Sequence, residues 1–167
     1  MPFKIDCNSL NLQEQNFILI FNMTSFSKHL TFRWADLDPN FHVRHSVYYD
    51  CAAQHRMEIL DSLGLNLKVF QKMHFGPVLF REECVFRKEI TQGNSVYIHT
   101  TVAKMRTDAS RWSIAHEFRT EDNLLCATLT VDGAWMDTKL RKLIDPVPEI
   151  AVNALLSIPK SEDFIES

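Results

Sequence analysis

At 167 residues the chain has the length of one ordinary domain, and a hydrophobic fraction of 46% supplies enough apolar material for a sizeable core. A net charge of −3 and a pI near 6.1, with Lys and Arg scattered along the chain, remove the electrostatic pull that nucleic acid would need. Cys7, Cys51, Cys84 and Cys126 form no CxxC pair and have no histidine at zinc-finger spacing, so free thiols in a reducing compartment are expected, with no metal site.

The apolar run over residues 17–21 follows Asp6 and Glu14, is too short to span a bilayer and has no small-residue cleavage pattern after it. A cytoplasmic, non-membrane protein is the expectation. Met23 is an alternative start, and residues 1–26 are expected to be an extension. Residues 28–34, rich in Leu, Thr, Phe and Trp, suit a strand that ends at an Asp-rich loop. From Ser46 the period changes: Tyr48, Ala52, His55, Ile59 and Leu63 recur every three or four residues, opposite Asp50, Gln54, Glu58 and Asp61. This pattern predicts an amphipathic helix of about five turns, with Ser46 as N-cap and Gly64 in the left-handed position that ends helices.

Four strands are predicted next, over residues 77–90, 95–106, 111–120 and 124–137, joined by short polar turns that favour antiparallel neighbours. Trp112, Ile114, His116 and Phe118 alternate with Arg111, Ser113, Glu117 and Arg119, which predicts one buried face and one wet one. Gly133, among apolar residues of the last strand, suggests a bulge or a close backbone approach. Residues 148–156 suit a short helix in the C-terminal tail, 141–167, so residues 27–140 form the expected domain. One long helix followed by enough strand to wrap it makes an α+β layer, with the helix on the concave face of a curved antiparallel sheet. Such a layer leaves an edge strand open, which pairing in a homodimer or homotetramer would cover.

The segment RWADLDPNFHVRHSVYYD resembles the start of the helix in hotdog-fold thioesterases of the 4-hydroxybenzoyl-CoA and acyl-ACP types. Asp36, Asp38, Asn40, His42, Val43 and Tyr48 match the pattern DxDxNxHVNNxxY of the acyl-ACP branch, and the resemblance covers about residues 27–138. Arg44 and His45 stand where that branch has Asn-Asn, and Phe41 replaces a common Gly or Gln. The resemblance implies a hotdog fold and hydrolysis of an acyl thioester, acyl-CoA or acyl-ACP, with no cofactor. It also implies that Asp38 acts as general base or nucleophile. A thioester carbonyl is electrophilic and its thiolate leaves readily, so one carboxylate and a pair of oxyanion donors can suffice. Amides at the helix start, near Ser46–Tyr48, can be those donors, because the first turn has unpaired N–H groups. Asn40 and His42 could orient the water or the carboxylate, and His45, Ser46, Val47 and Tyr48 are the expected substrate-binding residues.

Glu89 is a further catalytic candidate, because FRKEI resembles YRREC of the acyl-ACP branch; Glu82 and Glu83 compete with it. Strand alternation places Glu83 with Glu89 and turns Glu82 the other way, with Phe80, Cys84 and Phe86. Plain alternatives stand beside these roles. Asp-Pro-Asn is common turn chemistry. His42 could serve only as a loop donor to a carbonyl, and His55 as a hydrogen-bonded core group. His99 and His116 have no acid or thiol at ligand spacing, and Cys51 lies among apolar neighbours that keep a thiol protonated. Lys104, Arg106 and Arg111 gather at one hairpin end, where coenzyme A phosphates or water could meet them. A hotdog enoyl-CoA hydratase and a non-catalytic acyl-CoA binder remain alternatives, since a fold alone does not select among them.

Overall fold

A computed structural model describes residues 26–167; the expected extension, apart from Phe26, lies outside them, together with Cys7 and Met23. The elements follow in the order β1 (Ser27–Leu30), a 3-10 turn (Trp34–Asp36), α1 (His45–Ser62), α2 (Leu67–Met73), β2 (Phe75–Phe86), β3 (Val96–Met105), β4 (Arg111–Thr120), β5 (Leu125–Asp137), β6 (Lys142–Leu143), α3 (Glu149–Ser157) and β7 (Lys160–Glu166). The long helix and the strands β3, β4 and β5 stand where periodicity predicts them, while β2 stops at Phe86, short of the predicted end at residue 90. The connector after Gly64 is a second helix, α2, because the Asn66 side chain accepts from the amide of Val69 (3.1 Å) and caps it.

The sheet order is β1-β3-β4-β5-β2, antiparallel along that path. β1 and β7 share the far edge of β3, β1 against Val96–His99 and β7, in parallel, against Val102–Met105. The short strand β6 extends β5. The C-terminal residues therefore join the same sheet, and Ala151, Ala154, Leu155 and Ile158 of the α3 region join the same core.

α1 lies across one face of this sheet. Tyr48 packs edge-to-face on Phe118 of β4 (ring centroids 5.0 Å apart), and Ala52 and Ile59 are buried with Ile98, Leu129 and Val131. Gly64, at φ 88°, ends the helix as expected, and the amide of Leu65 returns to the carbonyl of Leu60 (2.7 Å). The N-cap is Arg44 rather than Ser46: the helix begins two residues earlier, so Ser46 falls inside the first turn and makes no side-chain cap.

Beneath α1 the core holds a polar chain. Arg56 Nη1 contacts His116 Nε2 (3.1 Å), His116 Nδ1 contacts Thr100 Oγ1 (2.8 Å), and Thr100 Oγ1 contacts His55 Nδ1 (2.9 Å). A guanidinium can only donate, so His116 Nε2 is an acceptor and its proton is on Nδ1. That N–H donates to Thr100, whose own hydroxyl hydrogen is then free to donate to His55 Nδ1. Both imidazoles are thus held neutral. Burial pushes the His55 pKa down to about 4 and that of His116 well below its ordinary value.

A dependence on pH follows. The unfolded chain protonates His55 near pH 6.5, the folded chain only near 4, so between these values the unfolded state binds more protons and stability falls as pH falls. At about 1.4 kcal/mol per unit, His55 alone removes about 3 kcal/mol across that window, and His116 adds to the loss in the same direction. Urea denaturation at pH 7 and at pH 4.5 measures it; equal stabilities would mean that the imidazoles protonate within the fold.

Gly133 is a close approach, and the bulge lies across from it. A Cβ at Gly133 would overlap the indole of Trp112, and β2 slips by one residue between Leu79 and Arg81, opposite Gly133 and Asp132. Gly133→Ala is expected to cost about 1–3 kcal/mol, because the buried Trp112 indole must shift to admit the Cβ. An unchanged denaturation midpoint would show that the indole can shift at no cost.

Candidate active site

Two aspartates of the loop have different tasks. Asp36 is buried, and its carboxylate accepts from the Arg33 amide (2.8 Å), Nε (3.1 Å) and Nη2 (2.7 Å). These bonds hold its pKa below the usual carboxylate range. The carbonyl of Asp36 accepts from the amide of Arg44 (2.9 Å), which closes the base of the loop just before α1. Leu37 pairs with Val43 as an isolated bridge, and Asp38 stands at the tip of this small hairpin.

Asp38 Oδ1 accepts from the amides of Asn40 (2.8 Å) and His42 (3.2 Å), an Asx turn. The amide of Asp38 donates to the carbonyl of His42 (2.8 Å), and that of Phe41 to the carbonyl of Asp38 (2.9 Å). The carboxylate is half-buried, and among the described residues nothing donates to Oδ2. One oxygen is therefore fixed and the other is left for another partner. The turn fixes the orientation of the carboxylate.

The segment after β2 lies against this loop. The amide of Val43 donates to the carbonyl of Ile90 (2.7 Å), and His42 pairs with Thr91 as a second isolated bridge. Glu89 is exposed beside it, its pKa lowered by its own backbone amide, by Lys88 and by His42. Val43, His45, Tyr48, Phe86, Arg87, Lys88 and Glu89 line a cavity of about 350 Å³. Asp38 does not line it; the carboxylate is on the hairpin whose last residue, Val43, does. A larger hollow of about 670 Å³ lies along the polar side of α1, between Gln54, Glu58, Asp61 and Lys68, and holds no residue of the loop.

The structure brings together His42, His45, Tyr48 and Glu89. Tyr48 is a wall of the cavity, buried between Phe86 and Phe118, and burial pushes its phenol well above its ordinary pKa. Asn40 is exposed and contributes its amide to the turn. Val47 is a core residue whose amide already donates to the carbonyl of Arg44 (3.0 Å), so it is not a spare oxyanion donor. With no side-chain cap at Arg44, the amides of His45 and Ser46 remain as first-turn donors.

The expected pairing of Glu83 with Glu89 is not observed. β2 ends at Phe86, so strand alternation does not reach Glu89. Glu82 turns inward and accepts from Arg56 Nη2 (3.2 Å), while Glu83 pairs with Arg81 on the outer side. Arg87 and Lys88, which give the cavity a cationic rim, were not singled out from sequence; their only signal was adjacency to Glu89. Burial raises the pKa of Cys51 and Cys84 to about 11, so neither thiol is an activated nucleophile. Among the described residues Cys51, Cys84 and Cys126 are free, no three His, Cys, Asp or Glu side chains converge as metal ligands, and no helix is long and apolar enough to cross a membrane.

Comparison with known proteins bears on this geometry. The family model described as the Thioesterase-like superfamily matches residues 32–155. No curated protein sequence matches. Among solved structures, a hypothetical protein from Staphylococcus aureus in complex with CoA is 18% identical, with a TM-score of 0.73 over 81% of this chain and 87% of that one. A 1,4-dihydroxy-2-naphthoyl-CoA thioesterase from Synechocystis is 19% identical, with a TM-score of 0.69 over 78% of this chain and 95% of that one. A DHNA-CoA thioesterase from Staphylococcus aureus is 19% identical, with a TM-score of 0.62 over 71% and 78%. At these identities the likeness is one of fold, an α+β hotdog layer. β7 lies beyond the matched residues.

Proposed function

This chain belongs to the thioesterase-like superfamily, and from that premise we propose that it hydrolyses acyl-CoA thioesters with Asp38 as the reacting carboxylate. The observation that carries this reading is the hairpin itself: Asp38 Oδ1 is fixed by two amides, Oδ2 has no donor among the described residues, and the first turn of α1 follows. CoA is the favoured thiol because one structural neighbour holds CoA and another is a naphthoyl-CoA thioesterase.

In this mechanism Asp38 takes a proton from a water as the water oxygen bonds to the thioester carbonyl carbon. Negative charge on the carbonyl oxygen is met by the amides of His45 and Ser46, where the helix dipole favours it. Collapse breaks the C–S bond, the thiolate takes the proton from Asp38, which regenerates the carboxylate, and acid and thiol leave. Direct attack by Asp38 would instead pass through an anhydride that water then cleaves. His42 and the neighbouring Glu89 orient the water, and the cavity beside Tyr48 and Phe86 receives the substrate.

A homodimer completes the reading. β2 pairs only with β5 among the described strands, and its other edge exposes Leu79, Phe80, Val85 and Phe86. A second copy paired along β2 would cover them. Thiol release from short, long and aromatic acyl-CoAs tests the activity, and light scattering tests the assembly. Absence of turnover across the whole panel would reject the hydrolase.

A further inference from the structure

Phe41 belongs to the turn that carries Asp38, and its backbone sits at φ 63°, in the left-handed region. A residue with a Cβ is strained there, and glycine or asparagine is the usual occupant. Packing does not repay the strain. The phenyl ring is 62% exposed, and its one aromatic neighbour among the described residues is Trp34, 67% exposed, with centroids 6.0 Å apart and planes tilted by 48°. Two guanidinium groups flank the pair in the chain. Arg33 spends Nε and Nη2 on Asp36 yet keeps its side chain 78% exposed, and Arg44 is exposed within reach of the charge of Asp36.

We propose that Trp34 and Phe41 form an aromatic rim that grips the pantetheine arm of a coenzyme A thioester, with Arg33 and Arg44 set for its phosphates; this rests on the hydrolase reading above. With the thioester carbonyl at Asp38, a residue three positions away in the same turn meets either the acyl group or the arm. Exposure selects the arm. An acyl chain gains by leaving water, whereas the arm, with its amides and phosphates, stays at the surface and offers geminal methyl groups to an aromatic face. The cations that flank the aromatic pair in the chain supply partners for the phosphates that follow the arm.

The test compares wild type with Phe41→Gly and Phe41→Ala, using CoA binding by calorimetry and hydrolysis of one acyl group carried on CoA and on N-acetylcysteamine. Both variants should weaken CoA binding about three- to ten-fold, the range that loss of an aromatic contact implies. The preference for the CoA ester over the truncated ester should fall by the same factor, mainly through KM. Only glycine relieves the backbone, so Phe41→Gly alone should raise the melting temperature, by about 2–4 °C. CoA affinity unchanged in both variants overturns the rim. So does a loss with glycine alone, which would make chain stiffness the cause, or a shift in oligomeric mass, which would make the rim a contact with a second copy. If wild type binds CoA and hydrolyses neither ester, the hydrolase reading fails while the binding comparison still decides the rim.

Discussion

Asp38→Asn is expected to lower kcat for the preferred acyl-CoA by about 10²–10⁴-fold, the usual contribution of a positioned base. Asparagine is the informative replacement. Its Oδ1 can still accept from the amides of Asn40 and His42, so the Asx turn is retained while the carboxylate charge is lost. Asp38→Ala removes that acceptor as well and adds a structural cost of about 1–2 kcal/mol, which would blur the result. A melting temperature within about 2 °C of wild type should therefore accompany the loss in Asp38→Asn. If Asp38→Asn keeps more than a tenth of wild-type kcat, Asp38 is a turn residue only, and Glu89 becomes the carboxylate to test.

Arg56→Ala is expected to destabilise the protein by about 3 kcal/mol, a lowering of roughly 6–12 °C in melting temperature for a domain of this size. The guanidinium lies between His116 Nε2 and Glu82 Oε1, and its side chain is 10% exposed. Removing it leaves the lone pair of a fully buried imidazole without a donor and opens a cavity under α1. The effect falls at the lower end of the range for buried pairs because Glu82 keeps 31% of its side chain in solvent and can rehydrate. Arg56→Lys can reach one partner and not both, and should fall between the two. A loss below about 1 kcal/mol for Arg56→Ala would mean that the polar chain is energetically neutral. In wild type, nitrogen chemical shifts should report His116 protonated on Nδ1 and His55 on Nε2.

Alternation and period were sufficient for the frame. β4 and α1 were legible because each buries one face, and burial of a face writes its period into the chain. Gly64 and Gly133 were legible because each occupies a place unfavourable to a Cβ, strained by a left-handed φ at the first and blocked by the Trp112 indole at the second. The loop was legible through its resemblance to a known family. What sequence could not supply was contact between residues far apart in the chain. It left Glu82, Glu83 and Glu89 unresolved because their orientation depends on where β2 bulges and stops, which its pairing with β5 decides. It gave His55 and His116 only as separate core or strand residues, and did not single out Arg56, because no local pattern ties α1 to β3 and β4. α2 and β7 are short, and each is held by one cap or one edge rather than by a period. Local rules, repeated at every turn of helix and every second residue of strand, thus determined which elements form. The packing of those elements decided which charges are buried together and which carboxylate is left open at the loop, because a buried donor must find its acceptor in three dimensions.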